Sequence, residues 1–563
     1  MTRGRGPTTE PGGCLLPLAP SPRSSPTRRL QLLPILLLAL ACGKAEREQP
    51  TTTPAGEAAP ADGDRLIIGT TADVDALNYL TLTTLTAQEV AGELFWPLAE
   101  INPDLLTFHP GLADSWEFSP DSLSLTFHLN PRITWHDGVP LRADDVVWSM
   151  GACKDEKIAW SSIRWLDRIK NVTAVDSLTV RMDFTERYPY QLMDASVCRP
   201  TPKHLLEKIK PEEMRNAAFN QNPVGDGPFK FKSWTAQQSV ELVANESFFR
   251  GRPHLDGVVW RIIPEWTSLI TQLSNGDIDL VTGIQPTFYK QLAEDPDLQV
   301  YSAPGRRYVY VAWNLRDPLF GDRNVRRALT MAIDRQALID ALLYGQAKVM
   351  NSPFPEILWA YDPNIKAISY DPEGARKLLE QAGWKDTDGD GILDKDGKPF
   401  RFEMLTNADN TLRVDITVAI QSQLKKLGID ARPRGMEFVV FTQKLQNKDF
   451  QAAVAGWNSQ IKVDLTDLWS SKSIPDKFNF ISYASPVVDS LIDAGIAEFD
   501  TQRAKQIWSE AQQIVADDAG YSFLFEQFDI NALSKRFKNV EMNSYGWDYN
   551  LPEWYVPKGE QKY

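Results

Sequence analysis

The sequence predicts a mixed protein of the α/β or α+β class, organised as two or three domains. Three observations lead there. Its 563 residues exceed what one hydrophobic core usually organises. From Arg65 onward, period-two runs alternate with apolar stripes at helical spacing, with no repeat and no low-complexity break. Helix-start and helix-stop residues bracket those stripes. With 43% hydrophobic and 24% charged residues, the composition excludes a largely disordered chain.

The N-terminal stretch reads as a leader. Leu30 to Ala41 is apolar but broken by Gln31 and Pro34, too short to span a bilayer comfortably, and preceded by Arg23, Arg28 and Arg29, so residues 1–41 are expected to be a signal peptide. Leu38-Ala39-Leu40-Ala41-Cys42 resembles the bacterial lipoprotein processing site, which implies a lipidated Cys42 at the start of the mature chain. The alternative is a plain signal peptide cut elsewhere. Arg28-Arg29 carries a weaker likeness to a twin-arginine export signal. Residues 42–63 hold almost no large apolar side chain and so read as a flexible tether, spanning on the order of 25 Å. The expected location is outside the cytoplasm, periplasmic or at the cell surface, just off a membrane.

Of 60 basic and 74 acidic side chains, five arginines and one glutamate fall in residues 1–41, which leaves a body of net charge −18. Such a body is repelled by nucleic acid and by anionic lipid, and neither is an expected partner. Two of the four cysteines, Cys14 and Cys42, belong to or end the leader. In an exported chain the remaining pair, Cys153 and Cys198, favours one disulfide over two buried thiols.

Along the body, Leu66-Ile67-Ile68-Gly69 reads as a buried strand ended by glycine. Trp116 to Phe118, the turn Ser119-Pro120-Asp121-Ser122 and the alternating Leu123 to Leu129 read as a hairpin. Asp371 is an N-cap with Pro372 at the first helical position, and Gly383 closes that segment; Ser485-Pro486 repeats the entry. Ile416, Ile420, Leu424 and Leu427 form one apolar stripe before Gly428. Ala504, Ile507, Trp508, Ala511, Ile514 and Val515 form another behind the cap Asp500.

Enzyme signatures are missing from the sequence. The five histidines have no metal-ligand spacing, and there is no H-E-x-x-H, G-x-S-x-G elbow, P-loop or dinucleotide glycine fingerprint. No catalytic residue and no cofactor is expected. Tryptophan is abundant, 17 beside 16 tyrosines; most are expected to fill core, and several to line a cleft. Asp386-Thr387-Asp388-Gly389-Asp390 through Asp394 mimics the first half of an EF-hand loop, but the twelfth position is Gly397 rather than glutamate, which favours a polar hairpin without calcium. No metal site is expected.

Four blocks together resemble the family-5 extracellular solute-binding proteins, the oligopeptide-, dipeptide- and nickel-binding components of ABC importers. The first is Gly111 to Trp116 with Phe127-His128-Leu129, Trp135-His136-Asp137-Gly138 and Ala143 to Val146. The second is Asn222 to Phe229, continued by Asn245 to Pro253 and Gly276 to Leu280. The third is Asp322 to Leu329 through Ala332 to Arg335, then Tyr370-Asp371-Pro372. The fourth is Gly428-Ile429 with Gly456-Trp457. In this order, over about residues 65–555, they are specific.

The resemblance implies a periplasmic-binding-protein-like α/β fold: two lobes with a hinge and cleft, plus an extra α+β domain in the first half. One lobe is then discontinuous, 64–105, 223–306 and 523–563; the extra domain is 106–222 and the second lobe 307–522. It further implies a non-enzymatic monomer that captures short peptides and docks on permease subunits. Peptide binders of this group commonly hold the ligand's amino group with an aspartate soon after the Gly-Trp pair. Here Trp457 is followed by Asn458, and the first carboxylates are Asp464 and then Asp467, so these four are the candidate ligand-binding residues. Alternatives are a metal chelate or small glycoside as cargo, and, in another class, a secreted hydrolase.

Overall fold

The computed structural model describes residues 60–563, apart from 476, 477 and 544. The expected leader, Cys42 and the tether as far as residue 59 lie outside the described residues. The tether's last residues already pair with the body: the Gly63 N–H donates to the His254 carbonyl at 2.9 Å. No helix among the described residues is long and apolar enough to cross a membrane.

The punctuation read in the sequence is where elements begin. Asp371 accepts the Gly374 N–H ahead of helix Pro372–Gln381, Ser485 caps Pro486–Ala497 through Val488, and Asp500 caps Thr501–Asp518 through Arg503. Gly383 and Gly428 take positive φ, 91° and 78°, where a Cβ would be strained. Ile416, Ile420 and Leu424 are the buried stripe of helix Thr411–Lys425. The predicted hairpin is Ala113–Phe118 against Ser124–Leu129, with Trp116 opposite Phe127. It belongs to a four-stranded antiparallel sheet with Thr179–Phe184 and Ile169–Ala174.

One large mixed sheet of eleven strands runs through the rest of the chain. At its centre, two long strands, Leu298–Trp313 and Tyr521–Ser534, pair antiparallel from Leu298 opposite Ser534 to Ala312 opposite Tyr521. Their register breaks between Pro304 and Tyr308. On one side of the break Tyr521–Ser534 meets Leu280–Val281, which leads to Arg65–Thr70 and Gly257–Ile262; on the other, Leu298–Trp313 meets Ala452–Asn458. Each side carries an apolar cluster of its own, with Ile67, Leu269, Ile270 and Ile530 in one and Val311, Trp313, Ile416 and Ile420 in the other, and a larger cluster runs through both, holding Leu66, Ile68 and Trp260 together with Tyr310, Ala312 and Ala453.

Two family motifs meet in space, which explains their residue types. Gly225 donates its N–H to His136 Nδ1 at 3.1 Å, while His136 Nε2 faces the Gly227 carbonyl at 3.1 Å. A Cβ on Gly225 would lie 1.9 Å from the Leu94 carbonyl oxygen, and one on Gly227 2.3 Å from that of Glu93. Between them, Asp226 accepts the Trp96 N–H at 2.8 Å. Burial pushes His136 down to about 4 and Asp226 up to about 8, so both are held neutral. Cys153, ending helix Ala143–Cys153, is bonded to Cys198, with Cα atoms 6.7 Å apart.

Candidate ligand-binding site

The candidate site is built on the end of strand Ala452–Asn458. Its burial fades from Ala452 to an exposed Asn458, so the strand leads the chain out of the core. Tyr308 pairs opposite Trp457, and Arg307 opposite Asn458. Gly456 must lack a side chain: a Cβ there would lie 2.8 Å from both the Tyr308 carbonyl oxygen and Arg413 Nη2. Trp457 is thereby set into an aromatic stack, near-parallel to Phe480 at 5.5 Å and to Tyr310 at 6.4 Å, with Phe478 edge-on at 5.8 Å.

Beyond Asn458 the chain forms a loop and then the short helix Thr466–Trp469. Asp464 accepts the Thr466 N–H at 2.8 Å, and Asp467 lies in the helix's first turn. Trp457, Asn458, Asp464 and Asp467 all line one cavity of about 320 Å³. The four residues chosen from the sequence are thus brought together.

Sequence reasoning missed the opposite walls. Arg164 and Trp165 come from the first half of the chain, Phe354 and Leu358 from the segment after Ala347–Val349, and Tyr308 from the long central strand. Tyr308 is 1% exposed, and its hydroxyl, like the Trp457 indole N–H, is buried without a hydrogen-bond partner among the described residues. Only strand register could have found it, since Tyr308 is adjacent to Trp457 in space and remote in sequence. Lys462 also lines the cavity, but its ammonium is turned to Asp194, 2.8 Å away.

No histidine lines this cavity. The acidic loop contributes nothing to it either. Asp386 accepts the Gly389 and Gly391 N–H groups, and Asp394 accepts the Thr387 N–H and hydroxyl, while Asp386, Asp388 and Asp394 each bring a carboxylate oxygen within 4.8 Å of the others. Ten of the 17 tryptophans are core, and six of these, Trp135, Trp260, Trp313, Trp469, Trp508 and Trp554, are fully buried.

Residues 107–479 match the model of the bacterial extracellular solute-binding proteins, family 5. The chain belongs to this family. The oligopeptide-binding protein AppA of Bacillus subtilis is 29% identical over 550 residues, 95% of this chain and 99% of that protein. Its structure in complex with a nonapeptide superposes with a TM-score of 0.71, covering 89% of this chain and all of that one. Heme-binding protein A of Haemophilus influenzae is 26% identical over 80% of this chain and 85% of its own. NikZ of Campylobacter jejuni, solved with Ni(L-His), is 27% identical with a TM-score of 0.71, covering 87% and 99%. The α/β fold is that of the family's periplasmic binding proteins.

Proposed function

We propose that this protein captures short peptides in the cavity beside Trp457 and passes them unaltered to the permease of an ABC importer. The observation that carries the reading is the meeting of a carboxylate edge, Asp464 and Asp467, with the aromatic walls Trp165, Tyr308, Phe354, Trp457 and Phe478 in one cavity. Aromatic area takes varied side chains with little selectivity, while a carboxylate recognises an ammonium. At about 320 Å³ the cavity is near the lower end of the ~300–1,000 Å³ typical of small-molecule sites, which suits a short peptide. Strand Arg401–Asn407 pairs with Ala452–Asn458 only at Ala452 and Ala453. The edge at Gly456 to Asn458 is therefore available to an extended ligand backbone. AppA, similar over nearly its whole length, binds a nonapeptide.

In this reading, residues 64–105, 223–306 and 523–563 make one lobe, 307–522 the other, and 106–222 the extra domain. The register break at Pro304 to Tyr308 is the hinge; its partner segment is Glu526 to Phe528, which moves the return crossing a few residues beyond 522. A monomer anchored through a lipidated Cys42 completes the proposal.

Calorimetry with a tetrapeptide pool, free or N-acetylated, tests the site, and mass spectrometry of the recovered pool tests turnover. Asp464→Asn is expected to weaken free-amine peptides by about 2 kcal/mol and to leave acetylated ones unchanged. Equal wild-type affinity for both forms removes Asp464 from the amino-terminal subsite. Failure to bind any peptide, or cleavage of the pool, ends the proposal.

A further inference from the structure

The loop that forms one wall of the cavity is fastened to the 106–222 region by a buried ion pair. Lys462 Nζ lies 2.8 and 3.0 Å from the two Asp194 carboxylate oxygens. The Tyr188 hydroxyl donates to the same carboxylate at 2.6 Å. Three rings box the ammonium, with centroids 5.5 Å away for Tyr188 and 5.6 Å for Trp165 and Tyr190. One residue on, the Tyr190 hydroxyl donates to the Val463 carbonyl at 3.1 Å. The Lys462 and Asp194 side chains are 13% and 1% exposed. The same seam continues at Arg187, stacked 4.0 Å over Phe499.

These partners come from two regions that the chain reaches 268 residues apart, and Lys462 and Trp165 also line the cavity. Separating the two regions would return both charges to water and dissolve the box. A contact made in only one of two arrangements shifts the balance between them by its own free energy. Removing one partner penalises only the arrangement in which the other is left buried and unpaired.

We propose that Lys462 and Asp194 form a latch, made only when the 106–222 region closes on the cavity wall, that holds the cleft shut over its occupant. The proposal rests on the two-lobed binding reading above and adds to it which residues govern retention. Lys462 and Asp194 are positioning residues and need not touch the ligand.

The test uses the full chain with Lys462→Met, Asp194→Asn and the double variant. Small-angle scattering without added peptide is expected to give a larger radius of gyration for each single variant than for wild type, with the double variant between them. Release of a tetrapeptide pool labelled at its C-terminus is expected to quicken about tenfold in each single variant. Unchanged radius and unchanged release, alongside a lowered urea midpoint, would show the pair to be part of a fixed core and overturn the latch. If wild type retains no peptide, the function proposed above fails, and the peptide-free scattering comparison still decides the latch.

Discussion

Replacing Arg536 with methionine is expected to remove about 4 kcal/mol of stability while sparing ligand affinity. The guanidinium is 7% exposed and sits between Asp64 and Asp279, which are 0% and 1% exposed. It donates to Asp279 through Nε at 2.9 Å and Nη2 at 2.8 Å, to Asp64 through Nη1, and to the Arg65 carbonyl at 3.0 Å. Methionine fills much of the volume and leaves both carboxylates without the guanidinium, with Lys562 Nζ still 3.9 Å from Asp279. Breaking a buried pair costs about 3–5 kcal/mol. The effect is kept from doubling by backbone donors that remain: Arg65 and Lys562 to Asp64 at 2.7 and 2.9 Å, and Ile67 to Asp279 at 3.0 Å. Urea unfolding followed by fluorescence and circular dichroism in parallel measures the loss, because a multi-lobed chain need not unfold in one step. Adding Asp64→Asn and Asp279→Asn to the variant is expected to restore at least half of it. A loss below about 1 kcal/mol, or a triple variant no better than the single, would refute the reasoning.

Asp226→Asn keeps an acceptor for the Trp96 N–H and removes a titration. Burial pushes this carboxyl up to about 8, so the stability it allows is whole below pH 4 and lost as pH rises toward 8. Melts should show the variant gaining on wild type steadily from pH 4 to pH 8, reaching a few kcal/mol; a pH-independent difference would contradict the assignment. Gly225→Ala forces a Cβ to within 1.9 Å of a backbone oxygen, which cannot rotate away. A loss of about 3 kcal/mol is expected by denaturant titration, and a neutral result would mean that the turn yields freely.

Local chemistry was legible in the sequence because it is written locally. Asp371, Ser485 and Asp500 announce helices through side chains that bond three residues on. The carboxylates Asp464 and Asp467 could be chosen because they follow Trp457 within one loop. The opposite wall could not: Arg164, Trp165, Phe354 and Tyr308 reach the cavity through strand pairing and domain packing that no short window contains. The pairing of Arg536 with Asp64 is equally invisible, as is the box around Lys462, where the sequence offers an ordinary-looking lysine. The split of the lobes was read from resemblance alone, since no short window of sequence carries it.

The position of Arg536 also sets a clock. Strand Arg65–Thr70 is among the first to emerge during synthesis, yet its neighbours are Gly257–Ile262 and Leu280–Val281, and the cation that lets Asp64 leave water arrives 472 residues later. That part of the molecule cannot be completed before residue 536 has been made. Until then the Asp64 carboxylate lacks its cation, and closing a contact over so long a stretch of chain is a slow step in folding.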